Sequence, residues 1–182
     1  DLRFRIHATT FFQVNTEQAE RVLQVILEEL QLTGSETLID AYCGVGSLTL
    51  PLAQKARRVV GLEVQPEAVA QALINAGLNG IDNVEFRAGD VAEQLPLAAA
   101  NLSDPLDVVV LDPPRKGCDR PVLDALLELH PPRIVYMSCD PATLARDLKV
   151  LREEGGYSLT KAQPADFFPQ TPHVECVAFL VA

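Results

Sequence analysis

Apolar side chains at Ala19, Val22, Leu23, Ile26, Leu27 and Leu30 recur at spacings of three and four, which predicts an amphipathic helix over 16–31. Asn15 followed by Gln18 supplies a capping-box start for it. The pattern then changes to short runs rich in Val and Ile, separated by helical stretches. Strands are expected at 37–42 (TLIDAY), 58–64 (RVVGLEV), 84–89 (VEFRAG), 106–112 (LDVVVLD) and 133–139 (RIVYMSC). Helices are expected at 47–56, at 66–78, briefly after residue 89, at 119–129 and at 141–154.

Strands that are apolar on both sides, each followed by a helix, imply a parallel sheet covered on both faces, an open α/β, Rossmann-like fold. After Gly155-Gly156 the rhythm breaks into two extended segments, YSLTKAQPAD and VECVAFLVA, with no helix between them. Such an ending predicts a hairpin and one antiparallel strand near the edge of the sheet. Residues 97–105 (LAAANLSDP) read as a surface connection within the domain.

Composition adds bounds. A chain of 182 residues with 48% hydrophobic side chains suits one domain with a sizeable core. It starts at Asp1 rather than Met, so an excised piece of a longer protein is expected, with further domains upstream. No apolar run approaches the roughly 18 residues that cross a bilayer, so a soluble, cytoplasmic protein without membrane contact is expected. Cys43, Cys118, Cys139 and Cys176 lack the paired spacing of zinc sites or disulfide frameworks, and reduced thiols with no bound metal follow. The net charge of −10 opposes phosphate-rich partners, so this segment alone should hold nucleic acid weakly. No second large apolar face is evident, and a monomer is expected.

Ligands of open α/β sheets bind beyond the carboxyl ends of the strands. The first strand ends in DAYCGVGSLTL, where Gly44 and Gly46 make a tight turn. Thr49 stands where a dinucleotide fingerprint has its third glycine, so a pyrophosphate ligand is disfavoured. Glu63, 17 residues beyond Gly46, is placed to accept ribose hydroxyls, and Asp90 follows the third strand. Each acid alone could be a helix cap or a turn residue. Asp40, Glu63 and Asp90 at three consecutive strand ends favour a nucleoside without phosphate, and hence S-adenosylmethionine and a methyltransferase.

The fourth strand ends in LDPPRKG, whose prolines stiffen a turn between Asp112 and Arg115. Amine-directed methyltransferases often carry an aromatic residue where Arg115 stands, so stacking on an amine-bearing base is disfavoured. The fifth strand delivers Cys139. A cysteine closing an apolar strand is commonly buried as a small hydrophobe. Pro141 places this one near a helix N-terminus, which favours thiolate, whereas Asp140 would oppose it if turned the same way. Further on, His173 and Glu175 stand where the last strand begins. Between Val174 and Cys176, Glu175 has an apolar setting that would raise its pKa and suit it to proton transfer; a solvent-facing strand position is the alternative.

Six motifs in order, FFQVN (11–15), DAYCGVGSLTLPLA (40–53), GLEVQPEAV (61–69), LDPPRKG (111–117), SCDPATLARDL (138–148) and FPQTPHVE (168–175), resemble the RNA 5-methyluridine methyltransferases, the uracil-C5 enzymes of transfer and ribosomal RNA. The resemblance covers essentially the whole chain. It implies the seven-stranded class I methyltransferase fold, S-adenosyl-L-methionine as cofactor and an RNA substrate. It further implies that Cys139 is the nucleophile and Glu175 the general base, and that Gln13, Tyr42, Ser47, Glu63, Asp90 and Asp112 contact the cofactor. Asp140 and Ser47 depart from the Asn that other members carry at these positions. Cys118 in the loop after the fourth strand is the rival nucleophile, as in cytosine-C5 enzymes; a non-catalytic cofactor- or RNA-binding domain is the other alternative.

Overall fold

A computed structural model describes residues 2–7, 10 and 12–182, so Phe11 of the FFQVN motif lies outside the described residues. The elements alternate as the hydrophobic pattern implies. Helix α1 (Thr16–Leu30) starts at Asn15, whose side chain accepts from the Gln18 amide, and ends where Gln31 turns left-handed. Strand β1 (Thr37–Ala41), helix α2 (Thr49–Ala53), strand β2 (Arg58–Glu63), helix α3 (Pro66–Leu78) and strand β3 (Val84–Ala88) follow. The second half adds α4 (Val91–Ala100), β4 (Val108–Leu111), α5 (Arg120–Leu129), β5 (Arg133–Ser138), α6 (Pro141–Gly155), β6 (Ser158–Ala165) and β7 (Glu175–Val181).

Two expectations change. Residues 97–100 belong to α4 and not to a surface connection; the Ala98–Ala100 run has high helix propensity and carries the helix past the internal Pro96. The helix expected over 47–56 shortens to Thr49–Ala53, because Gly46 at φ 87° delays its start.

The seven strands form one sheet in the order β3-β2-β1-β4-β5-β7-β6. All pairings are parallel except those of β7, which runs antiparallel to both β5 and β6. Successive residues of each strand feed opposite cores. Leu38, Val59, Val108, Val135 and Phe179 pack with Val22 and Ile26 of α1. Ile39, Val60, Val109, Ile134 and Leu180 pack under α4, α5 and α6 with Leu95, Leu126 and Leu151. Both faces are therefore covered, which is why the central strands carry no polar alternation. Strand order reverses between β1 and β4, and a crevice opens beyond their carboxyl ends.

Candidate active site

The crevice is a cavity of about 750 Å³ whose wall includes Gln13, Tyr42, Gly44, Glu63, Asp90, Asp112, Arg115, Cys139 and Glu175. Beyond β1 the backbone turns sharply through positive φ at Tyr42 (70°), Gly44 (54°) and Gly46 (87°). A left-handed tyrosine is costly, and such strain is characteristic of ligand sites. The turn brings the Gly44 amide to the Glu63 carboxylate, which accepts from it at 3.1 Å and from the Gln65 amide at 2.8 Å. Both carboxylate oxygens are thereby aimed while keeping lone pairs free for a ligand. Asp90 serves twice: it caps α4 by accepting from the Ala92 amide at 2.8 Å, and it lines the cavity. Its role as a helix cap thus does not exclude it from the site.

The acids crowd one another. Asp40 is buried, accepts from Thr49 Oγ1 at 2.5 Å through Oδ2, and leaves Oδ1 without a partner. Burial, with the nearby Glu63, pushes its pKa up to about 7. Burial also pushes Asp112 up to about 8, helped by the charges of Glu175 and Asp40. Glu175, only 6% exposed, is raised by burial and drawn back by the Arg115 cation. Carboxyls on the cavity wall that resist ionisation, Asp112 and Glu175, fit a cationic, phosphate-free ligand, whereas Asp40 is buried behind that wall.

Cys139 and Glu175 meet through strand register. The β5–β7 ladder pairs Arg133 with Val181 and continues to Ser138 with Cys176. Cys139 follows the last residue of β5 and Glu175 opens β7, so each lies one residue beyond that final pair, and both line the cavity. The thiol is raised by burial and by the Glu175 charge, against the opposing pull of Arg115. Burial is the largest influence on the thiol, and the net shift is upward, away from thiolate. Asp140 is not the cause: its carboxylate accepts from the Ala142 and Thr143 amides and caps α6. Cys118, the rival, is 3% exposed, has its thiol pushed up to about 11 by burial, and does not line the cavity.

The sequence profile of the tRNA (uracil-5-)-methyltransferase family matches residues 1–182. The chain belongs to this family. An uncharacterized RNA methyltransferase of Nostoc sp. is 59% identical over 99% of this chain and 38% of that protein. One from Bacillus cereus is 51% identical, again over 99% of this chain and 39% of that protein. The chain thus spans about two-fifths of the length of the curated relatives it matches. Among solved structures, the Pyrococcus abyssi tRNA (uracil-54, C5)-methyltransferase, in complex with S-adenosyl-L-homocysteine, superposes with a TM-score of 0.84 at 34% identity, over 100% of this chain and 42% of that one. Magnesium protoporphyrin IX methyltransferase from Synechocystis, at 20% identity and a TM-score of 0.66 over 91% of this chain and 79% of that one, shares the fold alone.

In this uracil-5-methyltransferase family member, seven of the eight residues singled out by motif line one cavity. Ser47 does not; its side chain faces a neighbouring groove between α1 and α2, which Gln13 also borders. His173 is exposed, with its ring edge-on to Phe168.

Sequence reasoning missed what holds the LDPPRKG loop. Asp147 of α6, wholly buried, accepts from the Cys118 amide at 2.9 Å and from the Tyr136 hydroxyl at 2.6 Å, and Arg146 Nε donates to it at 2.8 Å. Arg146 also donates to the Lys116 carbonyl at 2.8 Å, and Thr143 Oγ1 to the Arg115 carbonyl at 3.1 Å. Loop 112–118 is thereby fastened to the helix that follows Cys139. The signal was present in the helical spacing: Leu144, Asp147 and Leu151 form one buried stripe, and a carboxylate on such a stripe needs partners. Among the described residues, no group of three or more His, Cys, Asp or Glu is arranged to hold a metal ion. None of the described helices is long and apolar enough to cross a membrane.

Proposed function

We propose that the chain is the catalytic domain of an S-adenosylmethionine-dependent RNA methyltransferase that modifies C5 of a uridine in transfer or ribosomal RNA. The observation that carries this reading is that Cys139, just past β5, and Glu175, at the start of the neighbouring β7, share the wall of a cavity lined by Tyr42, Glu63, Asp90 and Asp112. A nucleophile and a base so close, beside acids that favour a cation, suit covalent catalysis on a ring carbon that is itself a poor nucleophile.

Gln13, Tyr42, Glu63, Asp90 and Asp112 would hold the cofactor, Glu63 through the ribose hydroxyls. When bound, S-adenosylmethionine supplies the electrophilic methyl group that an activated C5 accepts. Cys139 provides the activation: its thiolate bonds to C6, and the C5–C6 π electrons shift into an enolate. Once C5 carries the methyl group, Glu175 takes the C5 proton, whose bonding pair restores the C5–C6 double bond and expels the thiolate from C6. Burial raises the Glu175 pKa, which makes it a better proton acceptor than an ordinary carboxylate. The target uridine must leave its stack to reach the cavity, which costs least in a loop. The inaccessibility of Cys118 weighs against cytosine-type placement of the nucleophile. The presence of both a nucleophile and a base weighs against a binding module.

The test uses the full-length protein with labelled cofactor and unmodified RNA. Cys139→Ala should abolish methyl transfer, and Glu175→Gln should slow it by about 10²–10⁴-fold while a covalent protein–RNA adduct accumulates. RNA carrying 5-fluorouridine should trap wild type but not Cys139→Ala. Transfer by Cys139→Ala at the wild-type rate would refute the mechanism, and loss of transfer in Cys118→Ala alone would restore the cytosine reading.

A further inference from the structure

Arg115, at the end of the proline-stiffened turn after β4, stands on the same cavity wall as Cys139 and Glu175. We propose that Arg115 is a further catalytic residue, whose guanidinium stabilises the Cys139 thiolate before addition to C6 and again as the leaving group on elimination. The proposal rests on the assignment of Cys139 as nucleophile made above.

Three structural facts support it. Pro113 and Pro114 stiffen the approach to Arg115, and its carbonyl is fastened to the first turn of α6 by Thr143, four residues beyond Cys139. The backbone that carries the guanidinium is therefore tied to the backbone that carries the thiol. Glu175 and Cys139 lie one residue beyond the last pair of the β5–β7 ladder and line the same cavity, so a carboxylate and a thiolate share one wall. Two neighbouring anions with no cation between them would each suppress the other's ionisation. The other charged groups near the thiol are committed elsewhere. Asp140 caps α6, and Lys116 pairs with Asp119 at 2.5 Å. Asp112, at the end of β4, faces Glu175 and adds negative charge. Arg115 is the cation that acts on both Cys139 and Glu175.

The charges balance through the cycle. With the cysteine ionised, its proton already in solvent, Arg115 shares the cavity wall with two anions. Formation of the S–C6 bond makes the sulfur a neutral thioether and moves the electron pair toward the enolate, leaving Arg115 to Glu175. When Glu175 takes the C5 proton it becomes neutral, the C6–S bond breaks with its electron pair on sulfur, and Arg115 receives the thiolate again. The cation thus favours whichever anion each step creates.

The test is the pH dependence of Cys139 alkylation by iodoacetamide in the full-length protein, without RNA or cofactor, read on the Cys139 peptide by mass spectrometry. Arg115→Gln should raise the midpoint by about one pH unit, slowing alkylation about tenfold at neutral pH, and Arg115→Lys should return it most of the way. Arg115→Met, which keeps the aliphatic stem, should behave as Arg115→Gln. An unchanged midpoint in both neutral variants would overturn the proposal, even if methyl transfer fell, because a structural role would alter melting and not thiol ionisation. If the midpoint moves but Cys139→Ala still transfers methyl groups, the assignment of the nucleophile fails while the Arg115–thiol interaction stands.

Discussion

Replacing Gly117 with alanine should loosen the catalytic loop from a residue that touches no ligand. Gly117 has φ +74°, and a Cβ there would lie 2.5 Å from Asp147 Oδ2 and 2.8 Å from Arg146 Nη2. The left-handed backbone alone costs an alanine about 1 kcal/mol. The clash costs more, because the oxygen that must move is the one receiving the Cys118 amide and the Tyr136 hydroxyl. Weakening hydrogen bonds to a buried carboxylate adds about 2–3 kcal/mol, for a total of about 3–4 kcal/mol. Gly34 is the control: its φ is +90° but a Cβ there meets nothing within 4 Å, so Gly34→Ala should lose only about 1 kcal/mol. Native-state hydrogen exchange of the β4 and β5 amides measures both losses in this domain. If the two variants are equally stable, the Asp147 network does not bear on the loop, and the fastening described above is wrong. If Gly117→Ala is selectively destabilised, its Cys139 alkylation midpoint should also rise, since Arg115 is displaced with the loop.

Two further outcomes follow from the charged groups. Asp40 at about 7 and Asp112 at about 8 lie above the ordinary carboxylate value of 3.8, so the fold favours their protonated forms. Their contribution is complete below about pH 4 and is lost as pH rises through 7 to 8. The melting temperature of the ligand-free protein should therefore fall between pH 6 and 8.5, and Asp112→Asn should flatten the slope; a melting temperature that rises across this window would contradict the assignment. For Asp140, the cap geometry predicts that Asp140→Asn leaves both stability and the Cys139 alkylation midpoint unchanged, whereas Asp140→Ala loses about 1 kcal/mol of helix stability. A lower alkylation midpoint in Asp140→Asn would show that the carboxylate does act on the thiol.

The fold was legible because burial on both sides of a parallel sheet leaves a strong trace. Val108 to Leu111 is an uninterrupted apolar run since both faces of β4 are covered, and the break after Gly156 marked the hairpin that supplies β7. Acids at strand ends were visible too, and Glu63 and Asp90 reach the crevice, but Asp40 is buried and does not line it. What could not be seen was direction. Asp140 stands beside Cys139 in sequence but turns to the amides of α6, while Glu175, 36 residues away, is the neighbour whose charge reaches the thiol. Ser47 lies one residue from Gly46 and yet faces another groove, because the turn through left-handed conformations reverses the chain there.

That difference between proximity in sequence and proximity in space bears on the chemistry of Cys139. A thiol activated by its own helix terminus would need nothing else, and its reactivity would persist wherever the α6 N-terminus was kept. Here burial and Glu175 push the thiol up, so a cation from a third element is required to offset them. In the mechanism proposed above, the nucleophile comes from the end of β5, the base from the start of β7 and the cation from the loop after β4. These pieces are held together by strand register on one side and by the Asp147 network on the other. Reactivity then depends on both attachments being intact, which is why a glycine that touches neither cofactor nor base should still change the ionisation of the cysteine.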